Sequence, residues 1–91
     1  MGSVPFSLAS KVAFITGGGG GIGRETSLSF ARAGADVVLG DISPRTEDVA
    51  QEVRALGRKA LALHLDLSNS AQIYEAVATA QKEFGRLDIL I

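Results

Sequence analysis

The sequence predicts an α/β fold, a parallel sheet whose strands alternate with helices in the order βαβαβαβ. Three observations predict it. Short apolar runs, several rich in β-branched residues, alternate with longer amphipathic runs down the whole chain. Glycine or a cap residue stands at most boundaries between them. Five consecutive glycines, Gly17 to Gly21, separate the first strand from the first helix. Strands joined through helices run parallel with right-handed crossovers. The expected strand order is 3-2-1-4, with the first two helices on one face and the third on the other.

Each element has its own warrant. Val12–Thr16 is apolar and β-branched, as a buried strand requires. Gly21–Ala33 reads as a helix with Ile22, Phe30 and Ala33 on one side and Gly34 as its cap. Asp36–Asp41 is a second strand. Ser43-Pro44 then supplies an N-cap followed by proline at the first helical position. Val49, Val53 and Leu56 recur at helical spacing, so Arg45–Leu56 is an amphipathic helix ended by Gly57. Ala60–Leu65 is a third strand. Asn69 caps the next helix, with Gln72 three residues on in a capping-box arrangement. Ile73, Ala76, Val77, Ala80 and Phe84 form its apolar stripe, Gly85 ends it, and Leu87–Ile91 begins a fourth strand. Residues 1–10 read as a leader and 11–91 as one unit.

Composition excludes several function classes. The chain has 91 residues, 46% hydrophobic and 21% charged, with net charge −1, which suits one small globular domain. Scattered Lys and Arg form no basic stripe, so a nucleic-acid partner is not expected. Cysteine is absent, which removes disulfides, thiolate metal sites and cysteine nucleophiles and suits a reducing compartment. No apolar stretch approaches the ~20 residues that span a bilayer, and no membrane partner is expected. Met1 to Phe6 show no signal-peptide pattern and a poor myristoylation match. The expected location is the cytoplasm.

The glycine run carries the chemistry. A strand, a glycine turn and a helix start place main-chain N–H groups toward an anion, usually a nucleotide pyrophosphate. Two registers fit: Gly18, Gly20 and Gly23 as G-x-G-x-x-G, and Gly17, Gly21 and Gly23 as G-x-x-x-G-x-G. The pattern alone is weak, and a flexible turn between a strand and a helix is the plainer alternative. Its context makes it a Rossmann-type site, because Asp41 closes the second strand about 18 residues after Gly23. An acid there accepts hydrogen bonds from adenosine ribose hydroxyls and repels a 2′-phosphate. Ile42 follows where a 2′-phosphate reader would place a base, so NAD is favoured over NADP, with Arg24 and Arg45 the bases within reach. The plainer alternative is that Asp41 only caps the turn before Ser43-Pro44.

Thr16-Gly17-x-x-x-Gly21-Ile22-Gly23 resembles the cofactor motif of the short-chain dehydrogenases/reductases. Lys11-Val12-Ala13 is similar to that family's lead-in, Asp66-Leu67 to its adenine-contacting pair, and Gly85-Arg86-Leu87-Asp88-Ile89-Leu90-Ile91 to its approach to the fourth strand. The resemblance runs from about Phe6 onward and corresponds to the first third of a family member. It implies that Gly17, Gly21, Ile22 and Gly23 shape a pyrophosphate turn, that Asp41 holds the ribose, and that Asp66 and Leu67 meet adenine. It also implies a dinucleotide cofactor, an alcohol/ketone oxidoreductase as the intact enzyme, and homo-oligomeric relatives. The family's catalytic serine and Tyr-x-x-x-Lys pair would lie beyond Ile91, so no catalytic residue is assigned and the 91-residue chain alone is expected to be inactive and marginally stable.

Other candidates take plain readings. Tyr74 is followed four residues on by Ala78, not lysine, and reads as a helix-surface residue. His64, the only histidine, reads as packed or hydrogen-bonded within the third strand. One histidine and no cysteine make a transition-metal site improbable. Glu47, Asp48 and Glu52 form a solvated helix face. Two competing functions stay open, a non-catalytic nucleotide-binding module or truncated remnant, and a methyltransferase-like domain, against which Thr16 and Gly21-Ile22-Gly23 argue.

Overall fold

A computed structural model describes residues 7–91. The readings made on Met1 to Phe6 lie outside the described residues. Seven elements follow in chain order: β1 (Val12–Thr16), α1 (Gly21–Arg32), β2 (Asp36–Asp41), α2 (Arg45–Ala55), β3 (Ala60–His64), α3 (Ser70–Phe84) and β4 (Ile89–Leu90). The four strands form one parallel sheet in the order β3-β2-β1-β4, as the sequence predicts. Val12 to Thr16 pair with Asp36 to Gly40, and Ala13 and Phe14 pair with Ile89 and Leu90 on the other side.

Alternation along β1 and β2 builds a core on each face of the sheet. On one face Ile15, Val37 and Leu39 pack with Leu28 and Ala31 of α1 and Val49, Ala50 and Val53 of α2. On the other, Val12, Phe14 and Val38 pack with Leu65 and with Ala76 and Ala80 of α3. Both faces of the central strands are therefore dry, which is why their residues read as unbroken apolar runs. Two helices cover the first face and one the second, as expected.

Local chemistry fixes the ends of the helices. Pro44 already has helical φ and ψ, and Ser43 Oγ accepts the Arg45 N–H at 3.1 Å, so this serine caps α2. Asn69 Oδ1 accepts the Gln72 N–H at 3.3 Å, and α3 ends at Gly85 in the left-handed region with φ 76°. The expected reciprocal half of that capping box is absent: Gln72 Oε1 accepts the Asp66 N–H at 2.9 Å instead. The Asn69 N–H is already taken by the Asp66 carbonyl, which leaves Gln72 free to reach back to the end of β3.

Four further expectations are corrected. Ile22 is 87% exposed, not part of the core stripe of α1. That stripe is Gly23, Ser27, Leu28 and Ala31, about one helical step round from Ile22. Leu56 lies at the cap of α2 and is half exposed, and Ala50 fills the stripe in its place. Strands β3 and β4 are shorter than expected, Ala60–His64 and Ile89–Leu90, although the main chain of Leu65, Asp88 and Ile91 still bonds to the neighbouring strand. His64 is exposed and has no hydrogen-bond partner among the described residues, since β3 is the edge of the sheet. Tyr74 is 78% exposed on α3, as expected. The end of the leader joins the fold: Leu8 is buried and its N–H donates to the Ala33 carbonyl at 2.8 Å.

Candidate functional site

Chain direction decides where a site forms. From β1 the chain steps outward to β2 and β3, then returns through α3 to β4 on the opposite side of β1. This reversal beside β1 leaves a crevice at the carboxyl ends of the strands. The Gly17–Gly23 turn, Asp41 and the Leu65–Ser68 segment all lie at that edge, because Asp41 ends β2 and the other two directly follow β1 and β3.

The structure resolves the register of the glycine run. Gly17 has φ +69°, a backbone conformation that L side chains rarely adopt. A Cβ on Gly23 would stand 1.9 Å from the Gly17 carbonyl oxygen and 2.9 Å from Gly18 Cα, so these two stretches of main chain touch. Gly21 meets no atom within 4 Å and takes no special φ, so packing within the chain does not require glycine there. A Cβ on Gly18 would meet Leu39 Cδ2 at 2.6 Å and one on Gly19 would meet Thr46 Oγ1 at 2.9 Å, both side-chain atoms, so the demands of the main chain itself fall on Gly17, by its φ, and on Gly23, by its contact with Gly17.

The loop is anchored at both ends. The Gly17 N–H donates to the Gly40 carbonyl at 2.8 Å, and the Gly20 N–H donates to the Gly17 carbonyl at 3.2 Å. Ser27, wholly buried, donates its hydroxyl to the Gly23 carbonyl at 2.7 Å. The first-turn N–H groups of Gly21, Ile22 and Gly23 have no intrahelical acceptor, and none is found among the described residues. No side chain caps this helix start and no acid lies in its first turn. A cradle of free donors at the positive end of a helix macrodipole is suited to an oxyanion.

Asp41 binds the loop to β2. Its Oδ2 accepts the Gly19 N–H at 3.0 Å, and its Oδ1 accepts the Ile42 N–H at 2.7 Å and the Ser43 N–H at 3.4 Å. The plainer reading of Asp41 as a turn cap is therefore true of Oδ1, while Oδ2 faces the glycine loop. Asp41, Asp66 and Leu67 line one open cavity of about 260 Å³ with Gly17, Ile42 and Leu65. Asp66 Oδ1 accepts both the N–H and the hydroxyl of Ser68, at 2.9 and 2.7 Å. These bonds, with a smaller contribution from the nearby His64 charge, hold its carboxyl below the usual carboxylate range. Leu67 is half exposed at the cavity rim. Ile22 is on the loop side of the same edge and does not line this cavity.

One residue that shapes the edge, Gly40, was not singled out from the sequence. A Cβ on Gly40 would meet Leu65 Cδ2 at 2.8 Å and Phe14 Cε1 at 2.9 Å, so glycine there lets the floor of the cavity close. The signal was present, a glycine inside an apolar strand. Thr16 donates its hydroxyl to the Ile91 carbonyl at 2.7 Å, fastening β1 to the end of β4. Arg24, one of the bases considered near a 2′-phosphate, is instead held by Glu52, with Nε–Oε1 2.9 Å and Nη2–Oε2 2.5 Å. This pairing raises the guanidinium pKa and lowers that of the Glu52 carboxyl.

With this geometry in hand, comparison with known proteins decides the family. A family described as short chain dehydrogenase matches residues 11–91. The chain belongs to the short chain dehydrogenase family. A short chain dehydrogenase/reductase of Aspergillus oryzae is 43% identical over 88 residues, covering 94% of this chain and 34% of that protein. An uncharacterized oxidoreductase of Bacillus subtilis is 40% identical over 85 residues, covering 92% of this chain and 33% of that one. Among solved structures, a hydroxysteroid dehydrogenase from Escherichia coli superposes with TM-score 0.88 and 38% identity, over 92% of this chain and 36% of its own. A carveol dehydrogenase from Mycobacterium avium, solved in complex with NAD, gives TM-score 0.89 and 30% identity, over 93% and 35% respectively. This short chain dehydrogenase sequence spans about a third of the length of the relatives it matches.

Proposed function

We propose that this chain is the dinucleotide-binding opening of a short-chain oxidoreductase that interconverts an alcohol and a ketone. One observation carries the reading: unpaired N–H groups of the α1 start and the Asp41 carboxylate converge on one crevice, tied together by the Gly19–Asp41 hydrogen bond. The residues fit a nicotinamide dinucleotide on the structure's own terms. The open space at Gly21 is where a diphosphate would approach the main chain, and it would be filled by a Cβ at no gain to the protein. When bound, the cofactor supplies a hydride donor or acceptor at its nicotinamide.

Gly17, Gly21, Ile22 and Gly23 present donors and clearance to the diphosphate. The Asp41 carboxylate is fixed by three main-chain donors, so it is placed to accept from a ribose diol and to disfavour a 2′-phosphate. Asp66 and Leu67 border the space for adenine. NAD is the preferred cofactor on this reading. It is supported by the acid at 41, by Ile42 in place of a base, and by the engagement of Arg24 with Glu52. The carveol dehydrogenase relative solved with NAD agrees with it. A cytoplasmic location and a homo-oligomeric whole protein belong to the same reading. Among the described residues no helix is long and apolar enough to cross a membrane.

The test is a titration of the chain with ADP-ribose and with its 2′-phosphorylated form. The unaltered chain should bind ADP-ribose more tightly. Asp41→Ala with Ile42→Arg should reverse the order, by about tenfold or more in the ratio. An unchanged ratio removes Asp41 from the site. A chain that binds neither compound refutes the dinucleotide reading.

A further inference from the structure

The outer edge of β3 has no strand beside it, yet it lacks the usual protections of an edge. Ala60, Leu61, Ala62, Leu63 and His64 contain no Lys, Glu or Pro, the residues that commonly blunt such edges. The direction of its main-chain groups follows from the bonds to β2. Val37 donates to the Lys59 carbonyl and Leu65 donates to the Asp41 carbonyl, so the odd-numbered residues of β3 face inward. Ala60, Ala62 and His64 therefore present their N–H and C=O groups outward.

These three outward positions are symmetric about Ala62. If a second copy lies antiparallel with Ala62 opposite its own equivalent, Ala60 faces His64 and Leu61 faces Leu63. The same register puts Arg58, whose guanidinium lies 3.6 Å from Asp36 and donates to the Gly34 carbonyl, opposite Asp66, twice, once at each end of the strand. Lys59 adds to the basic end. Charges of opposite sign thus meet at both ends of a short apolar pairing, and nothing of like sign is brought opposite.

One side chain stands in the way. Arg54 reaches from α2 across the edge, donating from Nη2 to the outward Ala60 carbonyl at 3.0 Å and from Nη1 to Glu47 Oε2 at 2.7 Å. It occupies one of the six main-chain groups that pairing would use. It is also 42% exposed and paired with a 53% exposed Glu47, so the clamp is a weak surface interaction.

We propose that the free edge of β3 is a self-pairing surface for a second copy of this chain, held closed by Arg54. The occupant is a second copy because the charge pattern is complementary to itself reversed. Pairing extends two four-stranded sheets into one. It lies along the side of β3 and meets the crevice at the carboxyl ends of the strands only through Asp66.

Sedimentation equilibrium of the chain and of Arg54→Ala tests this. Removing the clamp should lower the concentration for dimer formation by about fivefold or more. Amide exchange at Ala60, Ala62 and His64 should slow as the dimer forms. Ala62→Pro removes only an outward N–H, and Arg54→Ala/Ala62→Pro should return the unclamped chain to its original association. Lys59→Glu in the Arg54→Ala background makes the basic end less complementary and should weaken the dimer without touching the ladder, which covers the case in which the proline variant fails to fold. An Arg54→Ala chain with unchanged association overturns the proposal. So does a polydisperse series of aggregates, or a dimer whose formation leaves exchange at Ala60, Ala62 and His64 unaltered.

Discussion

Replacing Gly23 by alanine separates what the glycines do for the fold from what they do for a ligand. The new Cβ would sit 1.9 Å from the Gly17 carbonyl oxygen, 2.7 Å from its carbon and 2.9 Å from Gly18 Cα. All three neighbours are main chain, so no rotamer change relieves the overlap. Gly17 cannot retreat freely, because its N–H is bonded to Gly40 and its carbonyl to the Gly20 N–H. The strain therefore belongs at the upper end of overpacking, about 3 kcal/mol. Alanine recovers about 1 kcal/mol as a better helix former than glycine. The net loss is about 2 kcal/mol, which for a domain of this size lowers Tm by roughly 8–16 °C. Gly21→Ala is the control. Nothing lies within 4 Å of its Cβ, so Tm should stay within a few degrees while ADP-ribose binding falls. Thermal melts followed by circular dichroism, with and without ADP-ribose, read both effects. A Gly23→Ala chain melting within about 2 °C of the parent, on the scale of a surface substitution, would refute the main-chain contact as the reason for glycine.

Two further outcomes follow from the packing and the charges. Phe14 is 1% exposed between Val38 and the α3 face, so Phe14→Ala should cost about 3–5 kcal/mol in urea unfolding, and a loss below about 1 kcal/mol would contradict the dry core described for that face. Arg86 forms a two-bond pair with Asp88, which also accepts the Val12 N–H at 2.9 Å, and the pair with Arg86 is the larger cause holding its carboxyl below its ordinary 3.8. A depressed folded pKa contributes stability that is present above 3.8 and lost as pH falls through the lower folded value. Asp88→Asn should therefore lower stability at neutral pH and flatten its fall below about pH 4; an unchanged acid slope would count against that bond network. Asp66 has the same sign through Ser68, so some slope should persist.

Strand order and the assignment of helices to faces were legible because each rests on strong, redundant signals. β1 and β2 are apolar on both sides, each helix has a period, and crossover handedness leaves few arrangements. The register of five glycines was not legible, since identical residues carry no information about which one the main chain approaches. The positive φ of Gly17, its main-chain contact with Gly23 and the side chains packed against Gly18 and Gly19 tell the glycines apart only once the chain is folded. Ile22 misled because it is apolar and sits at the start of a helix whose core stripe, Leu28 apart, is made of the small residues Gly23, Ser27 and Ala31. Arg24 looked available for a phosphate, and its partner Glu52 lies on another helix that sequence spacing does not bring near.

Asp41 shows why the site was readable in part. An acid at the end of β2 was expected to meet a ribose, or else to cap its own turn, as if these excluded each other. A carboxylate has two oxygens and about four lone-pair directions. Oδ1 is spent on Ile42 and Ser43, which fixes the side chain's orientation, and Oδ2 is left toward the crevice with one bond to Gly19. The turn cap is thus what aims the other oxygen. The Oδ2–Gly19 bond in turn ties Asp41 to the glycine loop, so a substitution that moves either should displace the other.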